Sequence, residues 1–201
     1  MSARQPWALG AMAIRLRMAS PNDRERVARF LAEMDRDGLY QRHFAYGEAP
    51  NLALLARLAA SDLRDRVSVL AVGPDGEVLG HAEYVAIEDG AEYALMLLPR
   101  VRGLGLGRRL LGALIEIATA AGQGELHGII QAGNTPALQL SLRMGFRVVP
   151  GADRTTVIVS RELAPTQSAA IRQSRPGAAD YPTLPAIHDP DRTSLHRGIG
   201  P

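Results

Sequence analysis

Ile14, Leu16 and Met18 alternate with Arg15 and Arg17, a period of two that predicts a strand. Ser20-Pro21-Asn22-Asp23 then opens a helix, with Ser20 as cap and Pro21 in the first turn. Val27, Phe30, Leu31 and Met34 form one apolar stripe along that helix. A second helix is predicted over residues 52–60. Strands follow over 66–72 and 78–87, separated by the turn signal Pro74-Asp75-Gly76. Asp89-Gly90 marks a hairpin turn into a strand over 92–98. Residues 105–121 read as a helix with Leu106, Leu110, Leu114 and Ile117 on one side. A strand over 125–131 leads to a helix after Asn134. In that helix Thr135 serves as cap, Pro136 takes the first turn and Gly145 the left-handed position after the end. Leu138, Ser141, Leu142 and Gly145 recur there at helical spacing. A strand over 155–163 closes the order β-α-α-β-β-β-α-β-α-β. Residues 1–12 read as a flexible leader. Residues 164–201, rich in Pro, Ser, Thr, Gly and Ala without periodicity, read as a disordered tail. One domain over residues 13–163 remains.

The junction between the 92–98 strand and the next helix carries the chemistry. Leu97-Leu98-Pro99-Arg100-Val101-Arg102 runs into Gly103-Leu104-Gly105-Leu106-Gly107-Arg108-Arg109. Alternating glycines let the backbone turn tightly and approach a ligand. The free N–H groups of a helix start attract anions. A P-loop needs a lysine, and all 23 basic residues of this chain are arginine. A Gly-x-Gly-x-x-Gly dinucleotide fingerprint fails in both registers, because its third glycine falls on Arg108 or on Leu110. The pattern [Arg/Gln]-x-x-Gly-x-[Gly/Ala] fits Arg102 to Gly107.

That pattern resembles the acyl-CoA loop of the GNAT superfamily of N-acyltransferases. Asn134-Thr135-Pro136-Ala137, closing in Gly145-Phe146, is similar to the family's Asn-x-x-Ala helix. The run from Glu92 through Gly103-Leu104-Gly105-Leu106-Gly107 is most similar to the catalytic domain of bacterial Pat-type protein lysine acetyltransferases. The resemblance covers residues 13–163. It implies an α/β (α+β) GNAT fold, with a mixed, mostly antiparallel sheet flanked by helices. It further implies acetyl-CoA as cosubstrate, with no metal, and a primary amine as acceptor, a protein lysine or a small molecule. The backbone of Arg102, Gly103, Leu104, Gly105, Leu106, Gly107 and Arg108 should then meet the pyrophosphate, and backbone near Leu97 the pantetheine arm. Asn134 should lie by the cofactor or cap its helix. Arg100, Arg102, Arg108 and Arg109 form a positive cluster beside the phosphates.

Composition narrows the alternatives. The chain of 201 residues has no cysteine, which excludes disulfides, thiolate metal sites and a cysteine nucleophile and is compatible with a reducing cytoplasm. Its five histidines show no ligand spacing, so no metal site is expected. A pI near 9.4 beside a net charge of only +2 reflects arginine chemistry, and aromatics are 4% of residues. Neither nucleic acid nor membrane is an expected partner. The oligomeric state stays open.

An amine that attacks a thioester must lose a proton. Glu92 is the first candidate base, since alternation places it with Ala94, Met96 and Leu98 on a face where apolar surroundings favour proton uptake. In the Pat-type resemblance a glutamate at this spacing is the proposed base. Glu83 and Glu88 follow as candidates. His81 and His127 could face the cleft. Many GNAT enzymes carry a tyrosine where this chain has Ser141, so protonation of the leaving thiolate is left to an unassigned group or to water. Tyr40-Gln41-Arg42-His43-Phe44 is a candidate acceptor segment. The leading expectation is an acetyl-CoA-dependent N-acetyltransferase acting on protein lysine. A small-amine N-acyltransferase and a non-catalytic acyl-CoA sensor are the alternatives.

Overall fold

A computed structural model describes residues 13–38, 65–88, 90–149 and 155–163. The leader, the tail, the 52–60 helix and the 40–44 segment lie outside the described residues. Among the described residues seven strands form one sheet in the order β1-β2-β3-β4-β5-β7-β6. They are β1 (Arg15–Met18), β2 (Arg66–Val72), β3 (Val78–Ile87), β4 (Gly90–Leu97), β5 (Glu125–Gln131), β6 (Arg147–Val149) and β7 (Thr156–Glu162). Among the described residues the helices are α1 (Arg24–Ala32), α2 (Leu106–Ala120) and α3 (Thr135–Arg143). No helix among the described residues is long and apolar enough to cross a membrane.

The sheet is mixed, as expected, because β4 and β5 run parallel while the other neighbours are antiparallel. β4 and β5 are in register only through Ala91–Leu126, Glu92–His127 and Tyr93–Gly128. Beyond that rung β4 stays paired with β3 as far as Leu97–Gly80. β5 stays paired with β7 as far as Gln131–Thr156. The two parallel strands therefore part company after Tyr93 and Gly128. A wedge opens towards their C-terminal ends, where the glycine stretch begins.

Residues paired across neighbouring strands share a face of the sheet. Glu83 with Ala94, Val85 with Glu92, and His81 with Met96 therefore lie on one face, and Tyr84 with Tyr93 and Gly80 with Leu97 on the other. Helix α2 packs on the second face, where a Cβ on Gly80 would come within 2.8 Å of Leu110 Cδ1. Its Leu106, Leu110 and Leu114 are buried as the sequence stripe requires. Tight fit explains Gly107, whose added Cβ would meet Leu140 at 3.2 Å and Leu97 at 3.3 Å.

Some local expectations are corrected. Pro21–Asp23 is a short 3-10 turn, and α1 starts only at Arg24. The turn is held by the buried Asp23 carboxylate, which accepts from Ser20 N at 3.0 Å and from Arg17 at 2.6 and 2.7 Å. Thr135 is not the cap of α3: Asn134 Oδ1 accepts from Ala137 N at 3.2 Å, the role of an N-cap side chain. Leu142 is 46% exposed, because α3 sits at the margin of the sheet and buries only the flank carrying Ser141. The short strand β6 carries too few residues to show a pattern, and it adds a seventh strand to the six expected. Gly145 does take the left-handed position, at φ +82°.

Candidate active site

A 3-10 turn at Pro99–Val101 ends β4, closed by Val101 N donating to Leu98 O at 3.0 Å and Arg102 N to Pro99 O at 3.3 Å. Gly103 and Gly105 then adopt φ +75° and +90°. A side chain in that left-handed region costs about 1–2 kcal/mol, so glycine is the residue that makes this turn cheaply. Gly105 caps α2 without a side chain to cover the helix start. Among the described residues, the amides of Gly103, Leu104, Gly105, Leu106, Gly107 and Arg108 find no backbone acceptor. Successive N–H groups around a left-handed turn form an anion-binding concavity, reinforced by the positive end of a helix of 15 residues.

Arg102 departs from expectation, since its own amide is consumed by the turn. Its side chain is consumed too: it grips Asp35 with two hydrogen bonds of 2.7 Å and reaches Leu97 O at 3.2 Å. Arg100 pairs with Glu33, and Arg109 donates to Ile14 O at 3.2 Å. Three of the four clustered arginines thus hold the turn against the rest of the fold. Arg108 is exposed and makes no hydrogen bond or ion pair among the described residues. A cation in the first turn of a helix opposes the dipole, and the first turn of α2 has no acidic side chain to offset it. An anion at the turn would reverse that penalty.

The wedge provides the next element. Leu98 N donates to Leu79 O at 3.0 Å, so alternation turns the backbone groups of Leu97 and Leu95 to the opposite edge, into the wedge. An extended ligand there would find backbone partners between apolar side chains.

Glu92 stands on the last-but-one shared rung of β4 and β5, beside His127. It is exposed, with Val85 opposite it on β3 and Ala94 and Met96 following it on the same face. Glu83 shares that face but is buried and bonded to Arg66 at 3.0 Å. Glu88 ends the strand in the open. His81 is buried with Ser68 Oγ 2.7 Å from Nε2, and His127 lies 3.6 Å from Glu125. Asn134 is the cap of α3, away from the turn's free amides in sequence and engaged by its own helix.

Tyr93 is not among the residues that the sequence pattern marks for the site. Its hydroxyl lies 2.7 Å from Ser141 Oγ, and Ser141 donates to Ala137 O at 2.9 Å. Burial pushes the Tyr93 phenol up to about 12, with the Ser141 contact pulling the other way. The position after Glu92 in an alternating strand was the available signal.

Taken together, an anion cradle leads into a backbone-lined wedge whose closed end carries a carboxylate on one face and a phenol on the other. The model of the acetyltransferase (GNAT) family matches residues 29–146. An acetyltransferase of Pseudomonas aeruginosa is 30% identical over 154 residues, covering 73% of this chain and 81% of that protein. The L-methionine sulfoximine/L-methionine sulfone acetyltransferase of the same species is 37% identical over 79 residues, covering 36% of this chain and 46% of the relative. That relative and a mycothiol acetyltransferase of Arthrobacter sp. are matched over less than half of their own length, 46% and 35%. The crystal structure of the GNAT domain of S. lividans PAT superposes with a TM-score of 0.71 at 21% identity, covering 75% of this chain and 90% of that one. A phosphinothricin acetyltransferase from Sinorhizobium meliloti, solved with AcCoA, reaches 0.62 at 22% identity over 78% of this chain and 95% of its own.

Proposed function

This chain belongs to the acetyltransferase (GNAT) family, and on that premise we propose that it transfers an acetyl group from acetyl-CoA to a primary amine. The row of unpaired amides from Gly103 to Arg108 at the mouth of the wedge carries the reading. A pyrophosphate there accepts those N–H groups and offsets Arg108. The pantetheine arm then runs down the wedge against Leu97 and Leu95 and brings the thioester to the rung of Glu92 and Tyr93. Positioning alone supplies much of the rate in such a reaction. Glu92, exposed on one face of that rung, takes the proton of the incoming amine. The amine attacks the carbonyl carbon, the carbon–sulfur bond breaks, and CoA leaves.

Protein lysine is the acceptor we favour, since an exposed base is reachable by a side chain on another protein and the Glu92-to-Gly107 run is similar to Pat-type domains. The P. aeruginosa relative named for methionine sulfoximine and sulfone supports a small amine as the second reading. CoA release from acetyl-CoA against lysine peptides, whole proteins, spermidine and L-methionine sulfone separates the two. Turnover with lysine peptides above the small amines is expected, and the reverse order assigns the second reading. Calorimetry of the Gly105→Asp variant tests the cradle. A carboxylate placed where the phosphate sits should abolish CoA binding, and unchanged affinity in a folded variant removes the proposal.

A further inference from the structure

Tyr93 occupies the last rung shared by β4 and β5, where the wedge closes. Neighbouring residues of a strand point to opposite faces, so its phenol lies on the face away from Glu92. The chain makes room for it deliberately. A Cβ on Gly128, its partner across the rung, would sit 2.4 Å from the Tyr93 ring, closer than any side chain tolerates. Phe146 packs at a ring distance of 5.1 Å and 55° tilt and fixes the ring from another side. Ser141 is small where a larger residue would fill the space now taken by the hydroxyl, and the two oxygens lie 2.7 Å apart. Strand, glycine and helix thus converge on one buried O–H at the closed end of the wedge.

Resting on the acetyl-CoA reading above, we propose that the Tyr93 hydroxyl donates a hydrogen bond to the sulfur of the departing CoA and stabilises its negative charge as the thioester bond breaks. Leu97 to Tyr93 spans about 13 Å of strand at roughly 3.3 Å per residue, so an arm lying along β4 from the glycine turn brings its sulfur to this rung. Attack comes from the Glu92 face, and the leaving atom is met on the Tyr93 face. The amine nitrogen bonds to the carbonyl carbon, the carbon–sulfur bond breaks, and its electron pair stays on sulfur. The proton stays on the phenol, which its burial holds well above a thiol. Only rotors move. Either oxygen of the Tyr93–Ser141 pair can be the donor. Ser141 can turn its hydrogen from the Ala137 carbonyl to the phenol oxygen, freeing the phenol hydrogen for sulfur. A fixed donor aimed at developing charge contributes about 10²–10³ in rate.

Tyr93→Phe and Ser141→Ala both delete the Tyr93–Ser141 hydrogen bond, so a merely structural tyrosine predicts matched losses. The proposal predicts a split. With the best acceptor of the panel, or with acetyl-CoA hydrolysis if none turns over, kcat falls about 100-fold in Tyr93→Phe. It falls less than tenfold in Ser141→Ala, and the KM for acetyl-CoA stays within threefold in both. A second measurement needs no variant: calorimetry of the wild-type protein with CoA and with desulfo-CoA, which lacks the sulfur. Tighter binding of CoA is expected, with the preference lost in Tyr93→Phe. Equal binding of the two ligands by the wild type, or parallel kcat losses in the two variants, overturns the role of Tyr93 and leaves the cradle intact. No binding of either ligand overturns the acetyl-CoA reading itself.

Discussion

Arg102 and Asp35 face each other across 67 residues of sequence, joined by two parallel hydrogen bonds of 2.7 Å. The third guanidinium nitrogen reaches the Leu97 carbonyl. Asp35 Oδ1 also accepts from Gly38 N at 3.0 Å. One planar cation therefore ties the segment after α1 to the end of β4 and to the first residue of the glycine turn. Bidentate geometry of this kind is specific to arginine.

This makes Arg102 a brace for the glycine turn. Asp35→Asn should weaken CoA binding about tenfold, because the turn loses its anchor while its glycines and amides remain. Arg102→Lys should do the same, since a point charge cannot span both oxygens and the Leu97 carbonyl. Calorimetry with CoA reads both. The same bonds hold the Asp35 carboxyl below its ordinary value, chiefly through the Arg102 hydrogen bonds.

The pH dependence of stability can be assigned to a different carboxylate. Asp23 is buried, and its hydrogen bonds from Arg17 hold it well below the usual carboxylate range. A depressed folded-state value means that its contribution is complete above the unfolded value, about 3.9. The contribution is lost as pH falls below that value through the folded one. Asp23→Asn should therefore lower stability at neutral pH by about 2 kcal/mol, the scale of hydrogen bonds to charged groups. Between about pH 4 and pH 2 the gap between wild type and variant should narrow. Urea unfolding at several pH values measures it, and a constant gap would assign the acid lability elsewhere.

Glu92→Gln keeps the shape of the side chain and removes its basic site. A placed base contributes about 10²–10⁴, so kcat should fall at least 100-fold while CoA affinity is retained. Near-normal turnover would pass the role to Glu83 or to water.

The absence of lysine has a chemical consequence of its own. Arginine side chains stay protonated and are poor nucleophiles at neutral pH. If the enzyme acetylates protein lysines, its own internal side chains are exempt. Incubation with acetyl-CoA followed by peptide mass spectrometry should find no stable acetyl group on any internal peptide.

Several parts of this molecule follow from local sequence. β2, β3 and β5 run over the residues their apolar patterns mark, and the helix after the glycine turn begins within one residue of its expected start. These are features of periodicity and of glycine's freedom at positive φ, which act over a few residues. The glycines of the turn were legible for the same reason, and so was Glu92, although β4 begins two residues before it and ends one residue before the expected 98. The two relationships that complete the site were not. Tyr93 meets Ser141 across 48 residues and Arg102 meets Asp35 across 67. No local pattern encodes such a meeting, because it depends on which strand lies beside which helix. The opening of the wedge is also a tertiary outcome: β4 and β5 stay with separate partners, β3 and β7, after their own pairing ends at Tyr93 and Gly128. The sequence by itself determined most of the described elements and the glycine turn. Packing alone decided that a phenol from the strand, admitted by Gly128, stands beside the serine of the last helix.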